Sequence, residues 1–524
     1  MNIFRFSIIC ILILCWSCKP PENIADKHTV YLHLQAEPDT LNPITATDAY
    51  SSRINSYIYE SLLKRNEDTL ELEPELAERW EISPDKKYFT FYIKKGVLWS
   101  DGKEFTADDV VYSYKKIMDP QTLCTHLKVY YKDIVACTKI NKYTVQFTYA
   151  EPFFLALEYC GMMPIVPKHI FDDDTDFNTH KHNRHPIGTG PYKFRSWRTS
   201  SKIELELNEL YRNEHPKIKR IVYKIIEESN VALQMLKKGD LDVMNLRDIQ
   251  WERQTNSKKF NEQFYKLKYF TPNYNYIGWN SQREFFSDKR VRQAMTMLIN
   301  REEILQKLLF GNGKQVTGTF YIFSKYYNND IDPLPHNPQR ARELLRKAGW
   351  TPGSDGVLRK DGKKFSFTFT ISSGSKFAER LATILKEDFA KSGIEMSVER
   401  YEWAVFIKRI QDKEFDATSL AWSLGYSSDP YQLWHSSQIK GGSNFCSFSN
   451  WEADKIIEAA RREFNDDRRV ALYKRFNQII HEEQPYTFLF CNPALSVVSK
   501  RFSNVNVHTM GLKLIDWEIA ETNK

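Results

Sequence analysis

Residues 76–111, LAERWEISPDKKYFTFYIKKGVLWSDGKEFTADDVV, constrain the fold more than any other stretch. Leu76, Ala77 and Trp80 stand at helical spacing and predict a short helix that stops at the turn residues Ser83-Pro84-Asp85. Tyr88, Phe89, Phe91, Tyr92 and Ile93 predict an aromatic strand, and Trp99-Ser100-Asp101-Gly102 a turn. Thr106 then caps a helix. Asp109, three positions on, completes a capping box, and Val110, Val111 and Tyr114 share the face that follows.

At 524 residues the chain exceeds one ordinary core and predicts two or three domains. Its 42% hydrophobic and 27% charged residues describe a globular protein. The net charge of +7 does not imply a nucleic-acid partner, because Lys and Arg are scattered among acids without a basic block. Strands are predicted over 29–34, 143–149, 221–226 and 241–246. In the second half, helices and strands alternate: a helical face through Val291, Ala294, Met295 and Leu298, a strand over 365–371, a helix over 377–390 and a strand over 394–401. Two amphipathic helices follow, ended by Pro485. The alternation predicts an α/β fold.

Six further motifs stand in order along the chain: Glu37-Pro38-Asp39-Thr40-Leu41-Asn42-Pro43, Gly188-Thr189-Gly190-Pro191-Tyr192, LKKGDLD over 236–242, DKRVRQAMTMLINR over 288–301, ARELLRKAGW over 341–350, and Trp422 with Asp429-Pro430. With the 76–111 segment they resemble the signature of the extracytoplasmic solute-binding proteins of family 5, the oligopeptide- and dipeptide-binding receptors of ABC importers. The resemblance implies a periplasmic-binding-protein type II fold, with two α/β lobes around a hinged cleft and an inserted extra domain. Lobe I then comprises 28–60, 187–272 and 495–524, the inserted domain 61–186 and the second lobe 273–494. It further implies a monomeric, extracytoplasmic receptor that takes short peptides and docks on ABC permease subunits, without a cofactor. Relatives of this fold also take nickel chelates, haem, sugars or murein peptides, so a non-peptide solute is the alternative.

Residues 1–17 read as a signal peptide, with Arg5 before an apolar run over 7–14 that is too short to span a bilayer. Leu14-Cys15-Trp16-Ser17-Cys18 resembles a lipobox in which Cys18 becomes the lipidated terminus, and 18–27 forms a tether to the membrane. Five cysteines follow, Cys124, Cys137, Cys160, Cys446 and Cys491; the compartment permits a disulfide, and Cys124 with Cys137 is a candidate pair.

The resemblance places Trp422, Ser423, Leu424, Gly425 and Tyr426 in the ligand cleft, where their backbone can pair with an extended peptide. Peptide-binding members carry an Asp for the ligand ammonium where this chain has Gly425. Glu37 and Asp429 are the acidic candidates for that role. Trp403, Tyr401, Tyr274, Tyr276 and Trp279 are candidate stacking residues, each set against an ordinary core reading. His169, His180, His182 and His185 stand near Asp172, Asp173, Asp174 and Asp176, but their spacing matches no metal site and predicts none. Ser83-Pro84-Asp85-Lys86 and Ser373-Gly374-Ser375-Lys376 fit S-x-x-K without its partner motifs, and G-x-S-x-G, H-E-x-x-H and the P-loop are absent. The chain therefore predicts a binding protein, not an enzyme.

Overall fold

A computed structural model describes residues 27–427 and 429–521. The predicted signal peptide and Cys18 lie outside the described residues.

Three main sheets organise the chain. The first has seven strands, in the order Phe264–Phe270, Pro493–Ser499, Val243–Asn245, Thr29–Leu34, Arg220–Ile225, Lys202–Leu207 and Tyr192–Arg198. Thr29–Leu34 is central and parallel to both neighbours; the other pairings are antiparallel. Its run TVYLHL is buried at five of six positions, as a strand covered on both faces requires. The second sheet has five strands, in the order Glu395–Tyr401, Ser366–Ser372, Ala417–Ser423, Asn273–Trp279 and Tyr486–Phe488. The third is an antiparallel sheet of Ala77–Ile82, Tyr88–Ile93, Thr144–Tyr149 and Ile134–Asn141, against which the helix Ala107–Met118 packs. Each sheet has its own apolar core.

The first and second sheets are joined by two crossings. The chain leaves the first at Thr271-Pro272 and returns through Asn492. The crossings lie side by side: Asn273 Nδ2 donates to Asn492 O (2.9 Å), and Asn492 N donates to Asn273 Oδ1 (3.0 Å).

The quoted motifs have local structural reasons. Thr106 and Asp109 form the capping box, and Asp109 also accepts from Lys168 N. Ser100 N donates to Gly188 O (2.9 Å), so the signature segment rests on the Gly188–Tyr192 turn. A Cβ on Gly188 would stand 1.9 Å from Ile58 O, and one on Gly190 2.6 Å from Tyr57 O. Only glycine permits that backbone contact. Asn42 Nδ2 donates to Asn183 Oδ1, and Leu41 N to Asn183 O, which pins the N-terminal motif. Arg292 and Arg301 are buried, and their guanidinium groups donate to carbonyls of Phe286, Glu483, Phe488 and Leu334. Burial lowers the Arg301 pKa to about 10.

Two expectations are corrected. Residues 77–82 form a strand, not a helix, paired antiparallel with Tyr88–Ile93. Three apolar residues in five positions cannot separate the two periods, and the aromatic strand beside them supplies the backbone partners. Cys124 and Cys137 do not pair: both are free thiols, and Cys124 Sγ is directed at Ile117 O (3.3 Å).

Candidate ligand-binding site

The strand Ala417–Ser423 is paired unequally on its two sides. On one side all seven residues face Asn273–Trp279. On the other, only Ala417 and Thr418 meet Phe369 and Thr370. Residues 419–423 therefore have no strand partner on that side among the described residues. An edge of this kind offers N–H and C=O groups to an extended ligand.

Beneath it lies a stack of rings. Tyr276 lies 6.4 Å from Trp422 at 6° and 3.9 Å from Tyr486 at 15°, and Phe445 covers Trp422 at 5.6 Å. Tyr276 is fully buried in this stack, so it is the floor of the site rather than a contact. Cross-strand aromatic pairs of this geometry hold Trp422 in one orientation.

The open edge leads into a cleft of about 500 Å³. Trp422, Ser423, Leu424, Gly425, Asp429, Tyr431 and Phe320 line one wall. The opposite wall comes from the helix Thr125–Tyr131 and from Phe153, Tyr159 and Met162. Nothing in the sequence had marked this second wall; its only trace was aromatic density, which also describes a core.

The remaining predicted residues fall elsewhere. Tyr426 lies just beyond the cleft, edge to face with Tyr321 at 5.8 Å. Trp403 opens the helix Trp403–Gln411, packs on Phe406 of that helix and does not line the cleft. Glu37 is engaged in the first body of the chain: it accepts from Trp197 Nε1 (2.6 Å) and Ser200 N (2.9 Å). Asp429 does line the cleft, but it accepts from Arg461 Nε (2.8 Å) and Tyr431 N (3.1 Å). Burial raises its carboxyl pKa against the pull of Arg461. Neither acid is a spare counter-charge for a ligand ammonium. The histidines have protein partners: His169 meets Asp101 (2.6 Å), His180 meets Asp173 (3.3 Å) and His182 meets the carbonyl of His185. Among the described residues no group of His, Cys, Asp and Glu side chains is arranged to hold a metal ion.

Arg461 ties the two walls together. Besides Asp429, it reaches Asp133 (3.5 Å) and lies over Phe153 (4.6 Å) and Tyr431 (4.4 Å), while its carbonyl accepts from Phe154 N (2.9 Å).

Two α/β bodies joined by paired crossings, an inserted sheet and an open strand edge above a cleft define a two-lobed receptor of the periplasmic-binding-protein type. The chain belongs to the bacterial extracellular solute-binding proteins of family 5, whose middle-region model matches residues 71–444. It is 35% identical to the oligopeptide-binding protein AppA of Bacillus subtilis over 473 residues, 87% of this chain and 84% of that one. The structure of that AppA in complex with a nonapeptide superposes with a TM-score of 0.79 at 31% identity, covering 94% of this chain and 99% of the other. NikZ of Campylobacter jejuni, in complex with Ni(L-His), gives a TM-score of 0.79 at 26% identity, covering 94% and 99%. The family consists of extracytoplasmic substrate receptors of ABC importers, not enzymes. Among the described residues no helix is long and apolar enough to cross a membrane.

Proposed function

We propose that this receptor captures short peptides and delivers them to the permease of an ABC importer. The observation that carries this reading is the unpaired side of residues 419–423, set above the Trp422–Tyr276–Tyr486 stack. Backbone pairing along that edge gives affinity without demanding one sequence, and the rings beside it bury varied side chains at low entropic cost. The likeness to an AppA bound to a nonapeptide supports the same ligand class.

In this reading 28–60, 187–272 and 495–524 form lobe I, 61–186 the inserted domain and 273–494 the second lobe. The paired crossings at Asn273 and Asn492 act as the hinge, and ligand favours closure because it touches both sides only when they are together. Cys18 carries a lipid that holds the receptor, as a monomer, beside its permease.

Native mass spectrometry of protein purified without denaturation tests the ligand class. A co-purifying peptide series is expected. A metal chelate, haem or sugar, with no peptide, overturns it. For the anchor, Cys18→Ala is expected to leave the membrane fraction; a variant that stays membrane-bound refutes lipidation.

A further inference from the structure

The cleft wall contributed by the helix Thr125–Tyr131 and residues 153–162 brings charges and rings together. Three acids face it. Glu158 pairs with Arg65 at 2.6 Å, and both side chains are largely buried. Asp429 pairs with Arg461 at 2.8 Å. Asp133 stands exposed at the mouth, 3.5 Å from the Arg461 that it shares with Asp429, and its chain neighbour Lys132 is equally exposed. With Arg65 included, three acids meet three bases, and each buried charge already has its counter-charge. The half-buried His126 adds none near neutral pH, since burial lowers its pKa.

Besides the uncharged polar groups of Ser423, Ser427 and Ser443, the surface offered to a ligand is mainly aromatic. Tyr130 and Tyr159 meet edge to face at 5.2 Å, Phe153 packs on Tyr159 at 5.5 Å, and Tyr431 and Phe320 close the other side. A charged side chain that passes the mouth loses its hydration and finds the buried charges already paired, Lys132 being held in water at the exposed mouth, whereas an apolar one exchanges water for aromatic contact.

We propose that this compartment is a specificity pocket that takes one uncharged, bulky apolar or aromatic side chain of a bound peptide and excludes acidic and basic ones. The inference rests on the peptide reading above and goes further by naming which peptides are preferred.

Calorimetry with tripeptides, in which each position in turn carries Phe, Leu, Glu or Lys in an alanine background, tests it. At one position Phe and Leu are expected to bind at least tenfold more tightly than Glu and Lys. Tyr130→Ala, at an already exposed position, is expected to cut that preference below threefold. Val129→Glu, on the same helix, places an acid in the compartment and is expected to turn the preference towards Lys. If peptides bind without discrimination, or with discrimination that neither variant changes, the pocket assignment is overturned and the peptide reading stands. If no tripeptide and no longer peptide binds at all, the peptide reading itself fails and the pocket assignment falls with it.

Discussion

The family resemblance implies an ammonium-binding acid at the position of Gly425, and the structure leaves room for one. Among the described residues a Cβ there would meet only Ser427 O, at 3.7 Å. Because Glu37 and Asp429 are already engaged, weak charge recognition of a ligand amine is the expected outcome. N-acetylation of a peptide ligand is therefore expected to change its affinity by less than tenfold, about 1.4 kcal/mol. Gly425→Asp is expected to restore preference for the free amine by about 1.5–3 kcal/mol, the worth of a hydrogen bond to a charged group. Calorimetry with a peptide and its acetylated twin reads both numbers; abolition of native binding by acetylation would refute the weak anchor. The place of Trp422 and Gly425 in the cleft wall was legible in the sequence. The engagement of Glu37 was not, because its partners Trp197 and Ser200 lie about 160 positions away.

Elements were legible where local chemistry was complete. The capping box at Thr106 and Asp109 and the aromatic strand Tyr88–Ile93 stand as their residues indicate. Residues 77–82 misled because so short a run fits either period, and the neighbouring strand decided it. The Gly188–Tyr192 turn depends on backbone approach, so Gly188→Ala is expected to destabilise the protein by at least about 1–3 kcal/mol, the usual cost of overpacking a tight site. An unchanged melting temperature would refute that contact. Beside the inserted sheet, burial and the neighbouring Glu60 raise the pKa of Glu75 to about 7. The folded form holds that proton more tightly than the unfolded form, so the group costs stability as pH rises from about 4.5 to 7, and the full cost applies above 7. Glu75→Gln is expected to raise the melting temperature at pH 8 and leave it nearly unchanged at pH 4; equal shifts at both would sink this assignment.

Across the whole molecule, Arg461 joins the cleft loop at Asp429 to the connections flanking the strands Ile134–Asn141 and Thr144–Tyr149, at Asp133, Phe153 and Phe154. Arg461→Gln leaves the Asp429 carboxylate buried without its partner. It is expected to weaken ligand binding by about 2–5 kcal/mol, mainly through faster release. The pair Arg461→Gln and Asp429→Asn is expected to recover much of that loss. Stopped-flow release kinetics separate the cases, and a single variant with native kinetics would show that Arg461 does not bind the walls together. The sequence by itself determined the family, the α/β class, most strands and helices and the motif residues, because periodicity, capping and glycine demands act over a few positions. Tertiary structure alone decided that residues 419–423 keep an edge without a strand partner among the described residues, that Tyr276 is buried beneath it, and that the helix Thr125–Tyr131 with residues 153–162 supplies a wall of the cleft. Each of these follows from strand pairing and charge pairing between residues far apart in the chain, which local pattern does not encode.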